Sequence, residues 1–309
     1  MMNERIPENE GAQEKDLAQR EWVYYDPEFE CDRYHSYIYQ YSPWSGLRHF
    51  AYDLVCWFGP RRIAELGSHY GCSSFAFLQA LKDSGSAAEF YAADTWEGDD
   101  FTGYAAGEDV RGQYQYVQES CFGGQNASML CGRFGDLCGN FADGSIDLLH
   151  IDGSHWYEDV KEDYEMWKPK MSARGIILLH DVGEDLFDGR ILGSCRYWKE
   201  LLQTEPRALE LPFSGGLGIV FMDGEVCRLF REKVDVSRYQ QKINQQDMRN
   251  KARVRELSYE LKEQDSYIRD LQDQMRIKEE HLARYASDMA AKDVYIRRLE
   301  HRAGGHRNV

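Results

Sequence analysis

Proline is scarce in this chain, seven in 309 residues, and neither proline nor glycine occurs from Val234 to Ala303. Without its two strongest breakers, that long stretch has continuous helix as its natural state. No apolar run approaches the roughly 20 residues of a membrane-spanning helix, and the opening MMNERIPENEGAQEKDLAQREW lacks the apolar centre of a signal peptide. A cytoplasmic location without a transmembrane segment is expected. Eight cysteines (Cys31, Cys56, Cys72, Cys121, Cys131, Cys138, Cys195, Cys227) form no CxxC pair and no matched ligand spacing. That favours reduced thiols over a zinc site or a disulfide framework. Positive charge is also short: the net charge is −16, with about −19 before Val234 and about +3 after it. An acidic body argues against nucleic acid or an anionic membrane as the main partner, and is compatible with a cationic cofactor or a divalent metal.

What is present alternates. Strand signals at Arg62–Leu66, Glu89–Asp94, Met129–Gly132, Ile146–Ile151 and Gly175–His180 are interleaved with helix signals at Gly46–Phe58, Ser73–Asp83, Val110–Cys121, Cys138–Phe141, Trp156–Lys168 and Cys195–Gln203. Gly216–Gly224 reads as a closing strand or hairpin. The order predicts an α/β fold, a Rossmann-like, doubly wound, mostly parallel sheet covered by helices on both faces. An aromatic-rich segment from Trp22 to Trp44 predicts an N-terminal helical cap. The expected division is 1–21 disordered, 22–233 the domain, 234–302 a coiled coil and 303–309 disordered.

The tail carries heptads. Val254, Leu261, Ile268, Met275, Leu282, Met289 and Ile296 recur every seven residues, with Leu257, Gln264, Leu271, Lys278, Tyr285, Lys292 and Leu299 as the second seam. Two such seams predict a coiled-coil helix joining the chain to a homo-oligomer or a partner enzyme. DSYIRDL (Asp265 to Leu271) returns as DVYIRRL (Asp293 to Leu299), an internal echo.

The first strand ends in Glu65-Leu-Gly67-Ser68-His-Tyr-Gly71-Cys-Ser73, where glycines let backbone pass close to a ligand and Ser73 can open the next helix. The spacing is GxxxG and not GxGxxG, so a pyrophosphate cradle is unsupported. Asp94 closes the second strand, where a carboxylate accepts ribose hydroxyls. S-adenosylmethionine fits the description of an adenosine-containing ligand without that phosphate signature, and also carries a sulfonium cation; a plain strand-to-helix turn with Asp94 as a helix cap is the competing reading. Trp96 is a candidate cover for adenine or acceptor, Asp136 a candidate neighbour of the adenine, and the glycine-rich loop Glu97 to Asp109 a candidate lid.

The densest chemistry lies in FADGSIDLLHIDGSHWYEDVKEDYEMWKPKMSARGIILLHDV, Phe141 to Val182. Two buried strands each end in proton-transferring or metal-capable groups, and carboxyl ends of parallel strands open onto one crevice. Asp152 and His155 can there meet His180 and Asp181. Asp152, His180 and Asp181 are the candidate ligands of a divalent cation, Mg2+ or Mn2+, and a neighbouring histidine could accept a proton near neutral pH. His150 reads as an interior histidine.

With ELGSHYGCSS, DTWEGD, the long central block and GGLGIVFMDG, the chain resembles class I methyltransferases of the macrocin O-methyltransferase-like group, of the kind found alongside bacterial surface-polysaccharide glycosyltransferases. The resemblance covers about residues 40 to 225. It implies S-adenosylmethionine-dependent O-methylation of a sugar hydroxyl, on a glycan or a glycosylated small molecule. Similarity to catechol-type metal-dependent methyltransferases points to the same three ligand positions and puts His155 where that group carries its base. Two departures stand out: Phe101 where the group usually has a histidine, and His180 where the catechol type usually has an acid. Two other readings compete. One is a non-catalytic assembly module acting through the coiled coil; the other is an iron-dependent oxygenase read from His150, Asp152 and His180, whose β-barrel fold the alternation contradicts.

Overall fold

The computed structural model describes residues 17–98, 109–183, 186–187 and 190–304. Most of the candidate lid Glu97 to Asp109, including Phe101, lies outside the described residues, as do positions 1–16 and 305–309 of the two expected disordered ends. Order begins earlier than expected, because Leu17 is buried and Arg20 donates from Nη1 to the carbonyls of Trp57 (3.1 Å) and Phe58 (3.2 Å).

The elements run in chain order as α1 (Asp32–Tyr41), α2 (Arg48–Phe58), β1 (Arg62–Leu66), α3 (Cys72–Asp83), β2 (Glu89–Asp94), α4 (Val110–Phe122), β3 (Asn126–Cys131) and α5 (Phe134–Cys138). There follow β4 (Ile146–Ile151), α6 (Tyr157–Trp167), β5 (Met171–His180), β6 (Leu186–Phe187), β7 (Arg190–Ile191), α7 (Gly193–Thr204), β8 (Ala208–Leu211), β9 (Leu217–Phe221), α8 (Gly224–Lys233) and α9 (Ser237–Gly304). Seven strands form one sheet in the order β3-β2-β1-β4-β5-β9-β8. The first five are parallel, and β9 lies antiparallel between β5 and β8.

Alternation along each strand feeds two cores. Ile176 and Leu178 of β5 join Ile63, Phe90 and Leu148 beneath α2, α3 and α8, whereas Ile177 and Leu179 join Leu66, Leu149 and Ile151 beneath α6 and α7. A strand buried on both faces must be apolar throughout, which is why β4 and the end of β5 read as continuous hydrophobic runs. Buried Asp147 fixes the register of β4 on β1 by accepting from the backbone N–H of Arg61 (2.9 Å) and Arg62 (3.2 Å).

Three local expectations are corrected. The helix expected at Cys138–Phe141 is α5, one turn earlier, because Gly139 and Asn140 stop it; β3 starts at Asn126, not at Met129. Gly71, in the left-handed conformation, caps α3 where Ser73 was expected, so Ser73 lies buried inside the first turn.

The structure divides into two compact units, 1–243 and 244–309. The first turns of α9 belong to the first unit. Tyr239 is buried and accepts from Trp22 Nε1 (2.9 Å), while its hydroxyl donates to Asp53 Oδ2; Asp53 Oδ1 accepts from the Tyr25 N–H (3.0 Å). Burial pushes the Asp53 carboxyl up from 3.8 to about 7, against the opposing effect of these two donors. The folded state therefore favours the protonated acid. Its contribution is most favourable below about pH 4 and is lost as pH rises through about 7. Tyr239→Phe strips Asp53 of a donor and Trp22 of its acceptor, so a loss of about 2 kcal/mol is expected. The loss should be larger at pH 8, where the carboxylate is charged, than at pH 5, as urea unfolding at the two pH values would show.

Candidate functional site

Gly67, Asp94 and Asp152 lie side by side because the ladder continues past the ends of β1, β2 and β4. Gly67 N–H donates to Ala93 O (2.9 Å), Asp152 N–H to Leu66 O (2.8 Å), and Gly132 N–H to Asp94 O (3.0 Å). Gly67 has φ +88°, and a Cβ there would fall on the Asp152 carbonyl. Only glycine allows β1 and β4 to run so close at this level. Asp94 gathers the loops: Oδ2 accepts from the N–H of Ser68 and His69, both at 2.8 Å, and Oδ1 from Trp96 N–H at 2.7 Å. Three donors leave part of the carboxylate's acceptor capacity for a ligand hydroxyl. Trp96 closes the arrangement from above, its Nε1–H donating to His69 O (3.1 Å) and its ring lying against Tyr114.

Glu65 lies beneath this loop and is fully buried. Its Oε2 accepts from Ser68 Oγ (2.9 Å) and Ser74 Oγ, and its Oε1 meets His150 Nδ1 at 3.0 Å. The indole of Trp44 can only donate, and its Nε1–H points at His150 Nε2, 3.0 Å away. His150 Nε2 must therefore be the acceptor, which puts the proton on Nδ1 and directs it at Glu65. The candidate cofactor residue Glu65 thus acts on the loop through Ser68 and Ser74. The Trp44 ring lies against both His150 (centroids 5.0 Å) and His180 (6.1 Å), so one cap residue touches both halves of the crevice. Sequence reasoning passed over Trp44 and Ser74. A donor-only side chain 106 positions before a histidine leaves no local pattern.

The ends of β4 and β5 bring Asp152, His155, His180 and Asp181 together. His155 Nε2 lies 2.9 Å from Asp181 Oδ2, and His180 Nδ1 lies 3.2 Å from Asp152 Oδ1 and 3.3 Å from Asp181 Oδ1. His180 Nε2–H donates to Ser214 O (2.8 Å), which leaves Nδ1 as the nitrogen facing the carboxylates. Burial would lower the His180 pKa, but the charges of Asp181 and Asp152 carry it well above its ordinary value. Burial would likewise raise the Asp181 carboxyl, yet His180 and His155 hold it below the usual carboxylate range. His180 is almost wholly buried and His155 partly exposed, so His155 is the imidazole open to a reactant.

Among the described residues, Asp152, His155 and Asp181 each offer a ligand atom, all within 4.8 Å of one another. In this group His155 stands where the sequence pointed to His180. Of the remaining candidates, Ser68 and Ser73 are buried at the loop, and Asp136 is exposed in the first turn of α5. Among the described residues, the non-glycine positions with positive φ are His69, Trp96, Asp181 and Ser214, all of them at this crevice. Backbone strain collects where surrounding contacts impose a functional geometry. Ser194 holds one such turn, donating from Oγ to Asp181 O (2.6 Å), and Gly215 packs against the Asp181 carboxylate with no room for a Cβ.

Residues 64–182 match the family model of a methyltransferase domain. The matched segment runs from within β1 to just beyond β5 and holds every candidate site residue named from the sequence. The chain is also 40% identical over 196 residues to an uncharacterized protein, y4gI, of Sinorhizobium fredii (strain NBRC 101917 / NGR234). That similarity covers 60% of this chain and 20% of y4gI, so the chain spans about a fifth of the length of this relative. Among solved structures, it is similar to the SAH-bound methyltransferase PaMTH1 of Podospora anserina, at 19% identity over 63% of this chain and 97% of that one, with a TM-score of 0.44. It is likewise similar to the O-methyltransferase TomG of Streptomyces achromogenes, solved with SAM, at 14% identity over 58% and 81% of the two chains, with a TM-score of 0.43. The seven-stranded sheet with its one reversed strand and its flanking helices makes a Rossmann-like α/β fold, followed by the long C-terminal helix. No helix among the described residues is long and apolar enough to cross a membrane.

Proposed function

We propose that this chain is an S-adenosylmethionine-dependent O-methyltransferase acting on a sugar hydroxyl of a glycan or glycosylated metabolite, in the cytoplasm. The observation that carries the reading is the meeting, in one crevice, of the Gly67–Gly71 loop and Asp94 with the His155–Asp181 pair. The residues fit the cofactor. Gly67 and Gly71 hold positive-φ turns where a Cβ would collide, the half-buried Asp94 keeps acceptor capacity for ribose, and the loop lacks the GxGxxG cradle that a pyrophosphate needs. Asp94, Gly67, Ser68, Gly71 and Trp96 would hold it, with Glu65 bracing the loop through Ser68 and Ser74, Ser73 buried beside it and Asp136 at the adenine end.

S-adenosylmethionine, when bound, supplies an electrophilic methyl group. The chain must make an alcohol nucleophilic, and a proton has to leave it. His155 takes that proton, and the Asp181 carboxylate at 2.9 Å holds the ring and favours the imidazolium that results. His180, anchored on Ser214, fixes Asp152 and Asp181 in place. Two carboxylates and an imidazole within 4.8 Å also fit a divalent cation, Mg2+ or Mn2+, held by Asp152 and Asp181 with a histidine. Such a cation would lower the pKa of an acceptor hydroxyl. It would compete with the imidazolium of His180 for the same two carboxylates.

Titration calorimetry tests the cofactor half. Micromolar S-adenosylmethionine binding is expected, weakened at least tenfold in Asp94→Ala. Absence of binding at any concentration would leave the non-catalytic assembly module as the better description. Mass spectrometry of host glycans with and without the protein then identifies the acceptor.

A further inference from the structure

Helix α9 leaves a long apolar seam in water. Leu261, Ile268, Met275, Leu282, Met289 and Ile296, seven residues apart, keep 50–70% of their surface exposed, and Leu257, Leu271, Tyr285 and Leu299 of the second seam remain exposed as well. On the opposite side, Arg276 pairs with Asp273 (3.2 Å) and Glu280 (3.7 Å), as a solvent-facing surface should. A seam of this kind is stable only when covered by another helix.

The second seam identifies the covering helix. Each of its glutamine and lysine residues is followed directly by an acid: Gln264 by Asp265, Lys278 by Glu279, Lys292 by Asp293. Its apolar residues Leu257, Leu271 and Tyr285 are instead followed by the uncharged Ser258, Gln272 and Ala286; Leu299, followed by Glu300, is the exception. Adjacent residues on one helix do not face each other, so these donor and acid pairs cannot satisfy one another within a chain. Across a parallel, in-register pair they can, because a second-seam side chain then packs into a hole walled by the partner residue that follows the same seam position. Lys278 meets the Glu279 of a second copy and Lys292 its Asp293. An antiparallel pair sets second-seam residues against first-seam ones and turns these acids toward each other, which leaves both lysines in apolar layers.

From this complementarity we infer that α9 pairs with α9 of a second copy of the chain as a parallel, in-register, two-stranded coiled coil. Strand number follows from Ile268 with Leu271 and Ile296 with Leu299, since a β-branched first-seam residue with leucine in the second favours two helices. The same register brings Glu260 near Asp265 and Asp288 near Asp293. Arg269 and Arg297, four residues after those aspartates, stand at the spacing that offsets this repulsion within each helix. The pairing is independent of the proposed methyl transfer.

Sedimentation equilibrium of the full chain at micromolar concentration should return a dimer mass. Lys278→Glu with Lys292→Glu should weaken dimerisation at least tenfold, and adding Glu279→Lys with Asp293→Lys should restore it. Leu271→Cys, in a Cys131→Ser background, should form a disulfide with its own counterpart on mild oxidation. A monomer throughout the concentration range, a trimer, a quadruple variant that stays weak, or no Leu271→Cys crosslink would each overturn the inference. Unchanged circular dichroism at 222 nm in the variants separates lost pairing from lost folding.

Discussion

Replacing His150 by leucine is expected to lower the unfolding free energy by about 3–5 kcal/mol, and the melting temperature by roughly 10 °C for a body of this size. His150 is fully buried and makes two hydrogen bonds, neither of which water can replace. The first, from Nδ1–H to the Glu65 carboxylate, is a bond to a charged acceptor worth about 1.5–3 kcal/mol; losing the second strands the Trp44 indole N–H at a cost of about 1–3 kcal/mol. A double-mutant cycle separates this network from simple packing. Trp44→Phe alone strands the His150 Nε2 lone pair, and Trp44→Phe with His150→Leu removes both ends of that bond. The pair should therefore cost less than the sum of the singles by about 1–2 kcal/mol. Strict additivity in urea unfolding would show that the two side chains act only as volume. Because Glu65 holds Ser68 and Ser74, the variants should also loosen the cofactor loop, seen as weaker S-adenosylmethionine binding than stability alone predicts.

The legibility of this chain in its sequence follows burial. β1, β2 and β4 could be read to the residue because central parallel strands are apolar on both faces and end in glycine or acid. β3 lies at the sheet edge, alternates between half-buried and exposed positions, and has no sharp start, so the reading began three residues late. β8 has four residues and one buried side chain, too little for any pattern, and it was passed over. α8 was missed too, although Asp223 caps it by accepting from Val226 N–H at 2.9 Å, a signal that DGEV does carry.

The crevice divides the same way. That Asp152, His155, His180 and Asp181 would meet was legible, since carboxyl ends of neighbouring parallel strands share one edge. Which imidazole faces which oxygen was not. That choice is made by Ser214, whose carbonyl takes His180 Nε2–H, and by Trp44, which sets the tautomer of His150. Both arrive from distant segments, and the positive φ of Asp181 that aims its carboxylate between the two histidines has no sequence signature.

His155→Ala is expected to leave S-adenosylmethionine affinity within about twofold of the parent and to reduce kcat by 10²–10⁴-fold, the range for loss of a positioned general base. The asymmetry follows from geometry, because His155 pairs with Asp181 beyond β5, whereas Asp94 is held by the N–H groups of Ser68, His69 and Trp96. Asp181→Asn extends the test. An amide still fills the space and can hydrogen-bond the ring, but no longer stabilises an imidazolium, so kcat should fall while cofactor binding persists. Single-turnover measurements with saturating cofactor isolate the chemical step. Near-normal turnover in His155→Ala would remove the histidine from proton transfer and leave activation of the hydroxyl to a cation on Asp152 and Asp181. Activity that withstands excess chelator while His155→Ala is inactive would instead show that the imidazole and its carboxylate partner suffice.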